Sequence, residues 1–296
     1  MISPATDRIC IVTGATGYLG SRVKAALEQS GWRVVSLSRN PPAGSGGVRF
    51  RLGDEVVGAS LAGATALVHC AYDFKEVSWA RIRAVNVQGS EKLFRSARQA
   101  NIKNLVYVST ISAFEGCRSL YGKAKLESEA VAHACGAVVL RPGLIFGEPS
   151  AGMFDRLVRQ VQHSRVLPLF NGGSQLQYLV HDEDLSNIIG RCAAGVFVPL
   201  NFAITVAHEQ PWTFRQILEE IARACGKRIS FLPLPWRLFW AGLKFGELCH
   251  LPLSFRSDSL LSLMYQNPAP SFDAQRKLGI SCRPFQFRPN AASVVL

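Results

Sequence analysis

Tyr121 and Lys125 stand four residues apart in Tyr121-Gly122-Lys123-Ala124-Lys125, a spacing that puts both on one face of a helix. An ammonium beside a phenol favours the phenolate, so the pair predicts a tyrosine able to exchange a proton near neutral pH. Thr110 follows the apolar run 105–109 and offers a hydroxyl to a substrate oxygen. Far upstream, Thr13–Gly20 places glycines at 14, 17 and 20 directly after an apolar run. A glycine-rich turn opening a helix lets backbone N–H groups approach a pyrophosphate, and the helix N-terminus adds its positive dipole. Gly14, Thr16, Gly17, Tyr18, Leu19 and Gly20 are therefore expected to cradle a dinucleotide. The next apolar run ends in Ser38-Arg39, where a carboxylate would accept from an adenosine ribose 2′-hydroxyl. A guanidinium there suits a 2′-phosphate instead, which favours NADP(H), with NAD(H) as the alternative. Asp54 either contacts the adenine or caps a helix.

These groups need elements to hold them. Ile9–Thr13, Arg33–Ser38, 66–70, 105–109 and 138–141 are short apolar runs of strand type. Between them, 19–30, 85–100 and 121–134 carry helical spacing, and Gly31 stops the first of these helices. Strands alternating with helices of this length imply parallel strands joined by crossover helices. The fold expected is α/β, a doubly wound parallel sheet. After residue 147 the alternation loosens. Helices are expected over 154–162 and 214–225, the latter opened by Thr213. Residues 148–296 are expected to form mainly a smaller substrate-binding lobe over the sheet's carboxyl edge, with some segments returning to the sheet, and residues 1–147 the dinucleotide-binding domain.

The 296 residues include 33 Lys+Arg and 21 Asp+Glu, a net charge of +12, and 48% are hydrophobic. That composition excludes a disordered chain. The basic residues are dispersed rather than gathered in an arm, which argues against nucleic acid and for an anionic small molecule. No run approaches the length of a membrane span, and residues 1–8 do not read as a secretory signal. The eight cysteines are scattered without a Cys-x-x-Cys pair, so reduced thiols in a cytoplasmic protein are expected, and no metal site. The segment Trp236–Phe245 is aromatic and basic. Contact with a membrane surface is one reading, and a helix of the substrate lobe is the favoured one.

Taken together, these motifs resemble the extended short-chain dehydrogenase/reductases, also called the NAD-dependent epimerase/dehydratase family, over almost the whole chain. The likeness is carried by Thr13–Gly20, Asp54, His69-Cys70-Ala71, Asn86-Val87-Gln88-Gly89, the strand ending Ser109-Thr110, and Tyr121 with Lys125. It continues through Arg141–Gly147, Val180–Asp184, and Asp273 with Leu278-Gly279. The resemblance implies a Rossmann fold and hydride transfer at a carbinol or ketone carbon.

It implies Tyr121 as acid/base, Lys125 as the group that lowers its pKa and holds the nicotinamide ribose, and Thr110 as orienter of the substrate oxygen. Ser109 and Ser112 are alternatives to Thr110. Asn86 would support a water or the active-site backbone. Cys70, Ala71, Pro142 and Leu144 would line the cofactor, and Ser112, Phe146, His181 and Arg237 the substrate. The nucleotide-sugar epimerases resembled carry an arginine where Gln177 stands and an asparagine where Leu144 stands; Arg237 or Arg256 would have to replace that phosphate contact. A nucleotide sugar ranks narrowly above a ketone or aldehyde of another class, handled by an NADP-dependent reductase. A non-catalytic cofactor-binding scaffold is the third reading. A homodimer is left open.

Overall fold

The computed structural model describes residues 8–42, 44, 46–55, 58–147, 152–249, 251 and 255–289. The N-terminal segment read above for a signal, apart from Arg8, and the first residues after Gly147 lie outside these.

A seven-stranded, all-parallel sheet forms the centre. Its strands are β1 (Ile9–Thr13), β2 (Arg33–Ser38), β3 (Val48–Arg49), β4 (Ala66–His69), β5 (Asn104–Val108), β6 (Val138–Pro142) and, after further elements, Ile204–Val206. The last becomes β11 once β7 (Leu144–Phe146), β8 (Val166–Phe170), β9 (Leu176–Gln177) and β10 (Leu179–His181) are counted. The order is β11-β6-β5-β4-β1-β2-β3. The chain winds outward from β1 in one direction and from β4 in the other. The crevice between those two strands is the switch point where open α/β sheets bind ligands, beyond the carboxyl ends.

Period-two alternation explains why these runs are apolar throughout: both faces are covered. Cys10, Val12, Ala66, Val68, Val106, Val108 and Leu140 point to one face. There they meet α1 (Tyr18–Gln29) and α6 (Asp182–Ala193) through Val23, Leu27, Leu185 and Ile189. Ile9, Ile11, Leu67, Leu105, Tyr107 and Val139 point to the other, against Leu93, Phe94 and Ala97. Those belong to α3 (Gln88–Gln99), which follows α2 (Trp79–Ile82). Beside them lies Ala132 of α4 (Leu120–Ala134).

The helix expected over 85–100 starts earlier. Ser78 accepts from Arg81 N and opens α2, and a π-turn over Arg83–Val87 joins α2 to α3. Such widened turns recur at functional sites.

Beyond Gly147, α6 and β11 pack into the sheet layers, while the rest builds two further cores. One joins α5 (Met153–His163) to α7 (Phe214–Ala224), which follows β12 (Trp212–Thr213). Thr213 caps α7 as expected, in a reciprocal box with Gln216. The other lies under α8 (Trp236–Leu248) and α9 (Ser257–Met264). A parallel pair, β8 with β13 (Ser230–Leu234), connects them. A short helix, α10 (Asp273–Lys277), packs near β11.

Candidate active site

Gly14 adopts φ +68 and donates from its amide to Leu37 O at 2.9 Å. Gly17 N closes the turn onto Gly14 O at 2.8 Å. A Cβ on Gly20 would stand 2.2 Å from that same oxygen, so any larger residue would force the loop off the helix. Gly17 begins α1 with no capping side chain, and the first-turn N–H groups have no acceptor within the helix. They face a cleft of about 720 Å³ that runs from this loop to Tyr121. Thr16, Tyr18, Leu19, Ser38, Arg39, Cys70, Ala71, Pro142 and Leu144 line it as well.

A dinucleotide fits this cradle on a second ground. Ser38 Oγ is buried with no hydrogen-bond partner among the described residues, and it borders the cleft. Beside it, Arg39, Arg49, Arg51 and Lys75 surround a recess that also contains Asp54. No helix begins at Asp54; its amide closes a turn onto Arg51 O.

Behind the loop runs a buried polar chain. Ser90 Oγ donates to Asn86 O at 2.6 Å, so it accepts from His69 Nε2 at 2.9 Å. His69 Nδ1 is then the acceptor for Thr13 Oγ1 at 2.7 Å. Burial, and then the charge of Lys125, push the imidazole down to about 3, so it stays neutral and holds this one tautomer. Asn86 uses its amide on the backbone of Asp73, accepting at 2.7 Å and donating at 3.1 Å. It thereby fixes the loop that carries Tyr72 and Phe74, whose rings pack on Tyr121 at 4.9 and 5.6 Å between centroids.

The Thr110 hydroxyl stands near enough to the Tyr121 phenol to pull its pKa down. Burial nevertheless pushes the phenol up to about 12. Lys125 is buried, donates to Val108 O at 2.8 Å, and is pushed down to about 8 by desolvation. Its Nζ also lies 4.8 Å from the Tyr107 ring centroid. Burial is the largest influence on both groups and drives each toward its uncharged form, opposing the lowered phenol pKa expected from the neighbouring ammonium. Ser112 lines the cleft and donates its amide to Thr110 Oγ1 at 3.2 Å. Ser109 instead donates to Glu129, which Arg141 grips with two contacts of 2.8 and 2.6 Å. Burial pushes the Cys70 thiol up to about 12, toward its uncharged form.

Three expected substrate residues lie elsewhere. Phe146 is buried in the lobe core against Phe154 and Phe285. His181, its register partner, caps α6 by accepting from Glu183 N at 3.2 Å. It also helps Tyr18 and Arg22 hold the Asp182 carboxyl low against the upward pull of burial. Arg237 is exposed and lies over Trp236. From the aromatic segment, Lys244 reaches the cleft.

In their place stand residues that the sequence did not single out for these roles. Asp258 of α9 accepts from Leu120 N at 2.6 Å and Tyr121 N at 3.0 Å. Ser119 takes the amides of Gly122 and Lys123. Three of the free donors at the start of α4 are thereby satisfied, those of Leu120, Tyr121 and Gly122, two of them by the lobe. Arg256 donates to Phe74 O at 2.6 Å, and Glu247 accepts from Ser257 N and Oγ, both at 2.8 Å. Asp258→Ala should cost roughly 1–2 kcal/mol, the scale of a lost cap, in urea unfolding. An unchanged midpoint would show that water replaces the carboxylate.

Among the described residues no cluster of His, Cys, Asp or Glu is arranged to hold a metal, and the cysteines are free thiols.

A doubly wound sheet, a glycine loop at its switch point and a Tyr-x-x-x-Lys helix define an NAD(P)-dependent oxidoreductase or epimerase of the extended short-chain class. The profile of the NAD dependent epimerase/dehydratase family matches residues 10–195, and the chain belongs to that family. It is 27% identical over 249 residues to a ceramide reductase of Caulobacter vibrioides, spanning 78% of this chain and 75% of the relative. It is 26% identical over 272 residues to a UDP-glucose 4-epimerase of Vibrio cholerae, spanning 80% and 81%. Among solved structures, MoeE5 in complex with UDP-glucuronic acid and NAD superposes with a TM-score of 0.72 over 94% of each chain, at 19% identity. That likeness concerns the fold.

Proposed function

We propose that the protein is an NADP(H)-dependent reductase of a ketone carried on a largely apolar molecule. The observation that carries this reading is the apolar lining of the cleft. Tyr72, Phe74, Ile111, Met153, Leu157 and Phe214 form much of it. Gln177, standing where a phosphate-binding arginine is expected, is buried there with Nε2 unpartnered among the described residues. A neutral donor of this kind suits a carbonyl or hydroxyl oxygen better than a diphosphate. The cations nearby are engaged: Arg256 with Phe74, and Lys244 with Glu247 at 3.3 Å. The relative named a ceramide reductase supports the same class.

The glycine loop and Ser38 would hold the dinucleotide, and the recess of Arg39, Arg49, Arg51 and Lys75 favours a 2′-phosphate. Bound NADPH supplies the hydride. Thr110 and Tyr121 hold the carbonyl oxygen, and Tyr121, protonated at working pH, gives it a proton. Lys125 lies one turn behind to hold the ribose and restore the proton. Asn86 keeps the Tyr72–Phe74 loop closed on the phenol.

A nucleotide sugar remains the second reading, favoured by the UDP-glucose 4-epimerase likeness. The deciding measurement is cofactor consumption with long-chain ketones against UDP- and dTDP-sugars. Turnover of ketones with NADPH is expected; calorimetric binding of sugar nucleotides in its place would overturn the reading. In parallel, NADPH should bind more tightly than NADH, and Arg39→Ala should weaken NADPH alone by roughly 1–3 kcal/mol, a lost charged hydrogen bond. Equal affinities would remove the 2′-phosphate assignment.

A further inference from the structure

α8 turns one apolar side into the protein and another out of it. Trp236, Phe239, Trp240 and Leu243 pack with Phe170, Leu234 and Leu260. On the outside, Leu238, Phe245 and Leu248 are 73%, 68% and 76% exposed. With exposed Ala241 they fall at steps of three, four and three, a single stripe along the helix. Leu251 continues the row just past the helix end, 55% exposed. Single exposed aliphatic residues are ordinary, but an ordered row marks a surface that is covered in use.

Position and charge say by what. Lys244 lies one turn from Leu248 on the same side of the helix, and Lys244 lines the cleft. The outer rim of the cleft continues the pattern, with Phe74, Val77 and Met153 each more than half exposed. Arg237 flanks the stripe together with Lys244, which also pairs with Glu247 at 3.3 Å, on a chain with a net charge of +12. A second copy would bring the same excess charge against it. A surface bearing negative charge is attracted. α8 spans 13 residues, about 20 Å, and among the described residues no helix is long and apolar enough to cross a membrane. A helix this short with an outward apolar row would lie along an interface rather than across it.

We propose that the outer stripe of α8 docks on the surface of a bilayer containing anionic lipids, with the cleft mouth held there to receive an apolar substrate. The docking rests on the surface alone; the substrate it serves rests on the ketone reading above.

The test uses the full chain with phosphatidylcholine vesicles, with and without phosphatidylglycerol, in a sedimentation assay. The protein should bind the phosphatidylglycerol vesicles, less so at high salt because the attraction is screened. The triple variant Leu238→Ser, Phe245→Ser, Leu248→Ser should lose binding by roughly tenfold or more, since insertion scales with buried apolar area. It should keep the wild-type Tm and NADPH affinity. Reduction of a vesicle-embedded long-chain ketone should fall with binding, while a water-soluble ketone is turned over as before. No sedimentation with either vesicle, or undiminished binding by the folded variant, would overturn the proposal. So would a wild-type dimer that the variant dissolves, because a second copy would then cover the stripe. Vesicle binding is read without turnover. Failure of the ketone panel therefore strikes the substrate reading, and failure of sedimentation strikes the docking.

Discussion

Tyr121→Phe is expected to lower turnover by ~10²-fold or more, the scale of general acid–base catalysis, while NADPH affinity stays within twofold. The substitution removes one oxygen and leaves the ring between Tyr72 and Phe74, so folding is little disturbed. Burial pushes the Tyr121 pKa up to about 12, against a smaller downward pull from the Thr110 hydroxyl. The phenol is therefore protonated across the neutral range, the form a carbonyl reduction consumes. Carbonyl reduction should be flat below about pH 8, fall above it as Lys125 loses the proton it hands back, and be lost as the phenol deprotonates toward about 12. Alcohol oxidation needs the phenolate and should climb over the same range. Steady-state rates in both directions across pH check this. Near-normal turnover in Tyr121→Phe would mean that another group moves the proton.

The parallel sheet was legible because burial on both faces leaves each strand apolar along its length. Ile9–Thr13 and Arg33–Ser38 match to the residue, and the other three of the five runs to within one. The β8–β13 pair escaped because Pro168 and Pro233 interrupt runs that otherwise read as strand. The start at Trp79 escaped because the π-turn breaks the 3.6-residue rhythm of the helix that follows. The chemistry-bearing residues were legible where one short segment holds them: the glycine loop, and Tyr121 with Lys125. Asp258 was not, since it meets Tyr121 across 137 positions and an aspartate opening a helix looks like an ordinary cap. Phe146 and His181 were drawn to the cleft by their neighbours in sequence. They pair with each other in register at the end of their strands, whereas Leu144, on the same strand face as Phe146 but two positions earlier, both packs on the lobe core and borders the cleft.

Lys125→Met should do two opposite things: lower turnover on the order of 10²-fold and raise stability. The ammonium is buried, with the Val108 carbonyl 2.8 Å away as its hydrogen-bond partner and ring faces nearby, and desolvation pushes its pKa from 10.5 to about 8. The sign follows from linkage. Between about pH 8 and 10.5 the unfolded chain holds more protons at this site than the folded one, so wild-type stability rises with pH through that window. Below pH 8 both states carry the charge, and its burial penalty, at most roughly 3 kcal/mol, is present in full. A methionine fills the same space without that penalty. The variant's Tm should therefore exceed the wild type's by a few degrees below pH 8, and the gap should narrow as pH approaches 10.5. Calorimetric melts at both ends of the window read this directly. A variant less stable at neutral pH would show that the lysine is retained for its packing and hydrogen bond. A more stable, inactive variant would show that the buried charge is kept for chemistry at the expense of the fold.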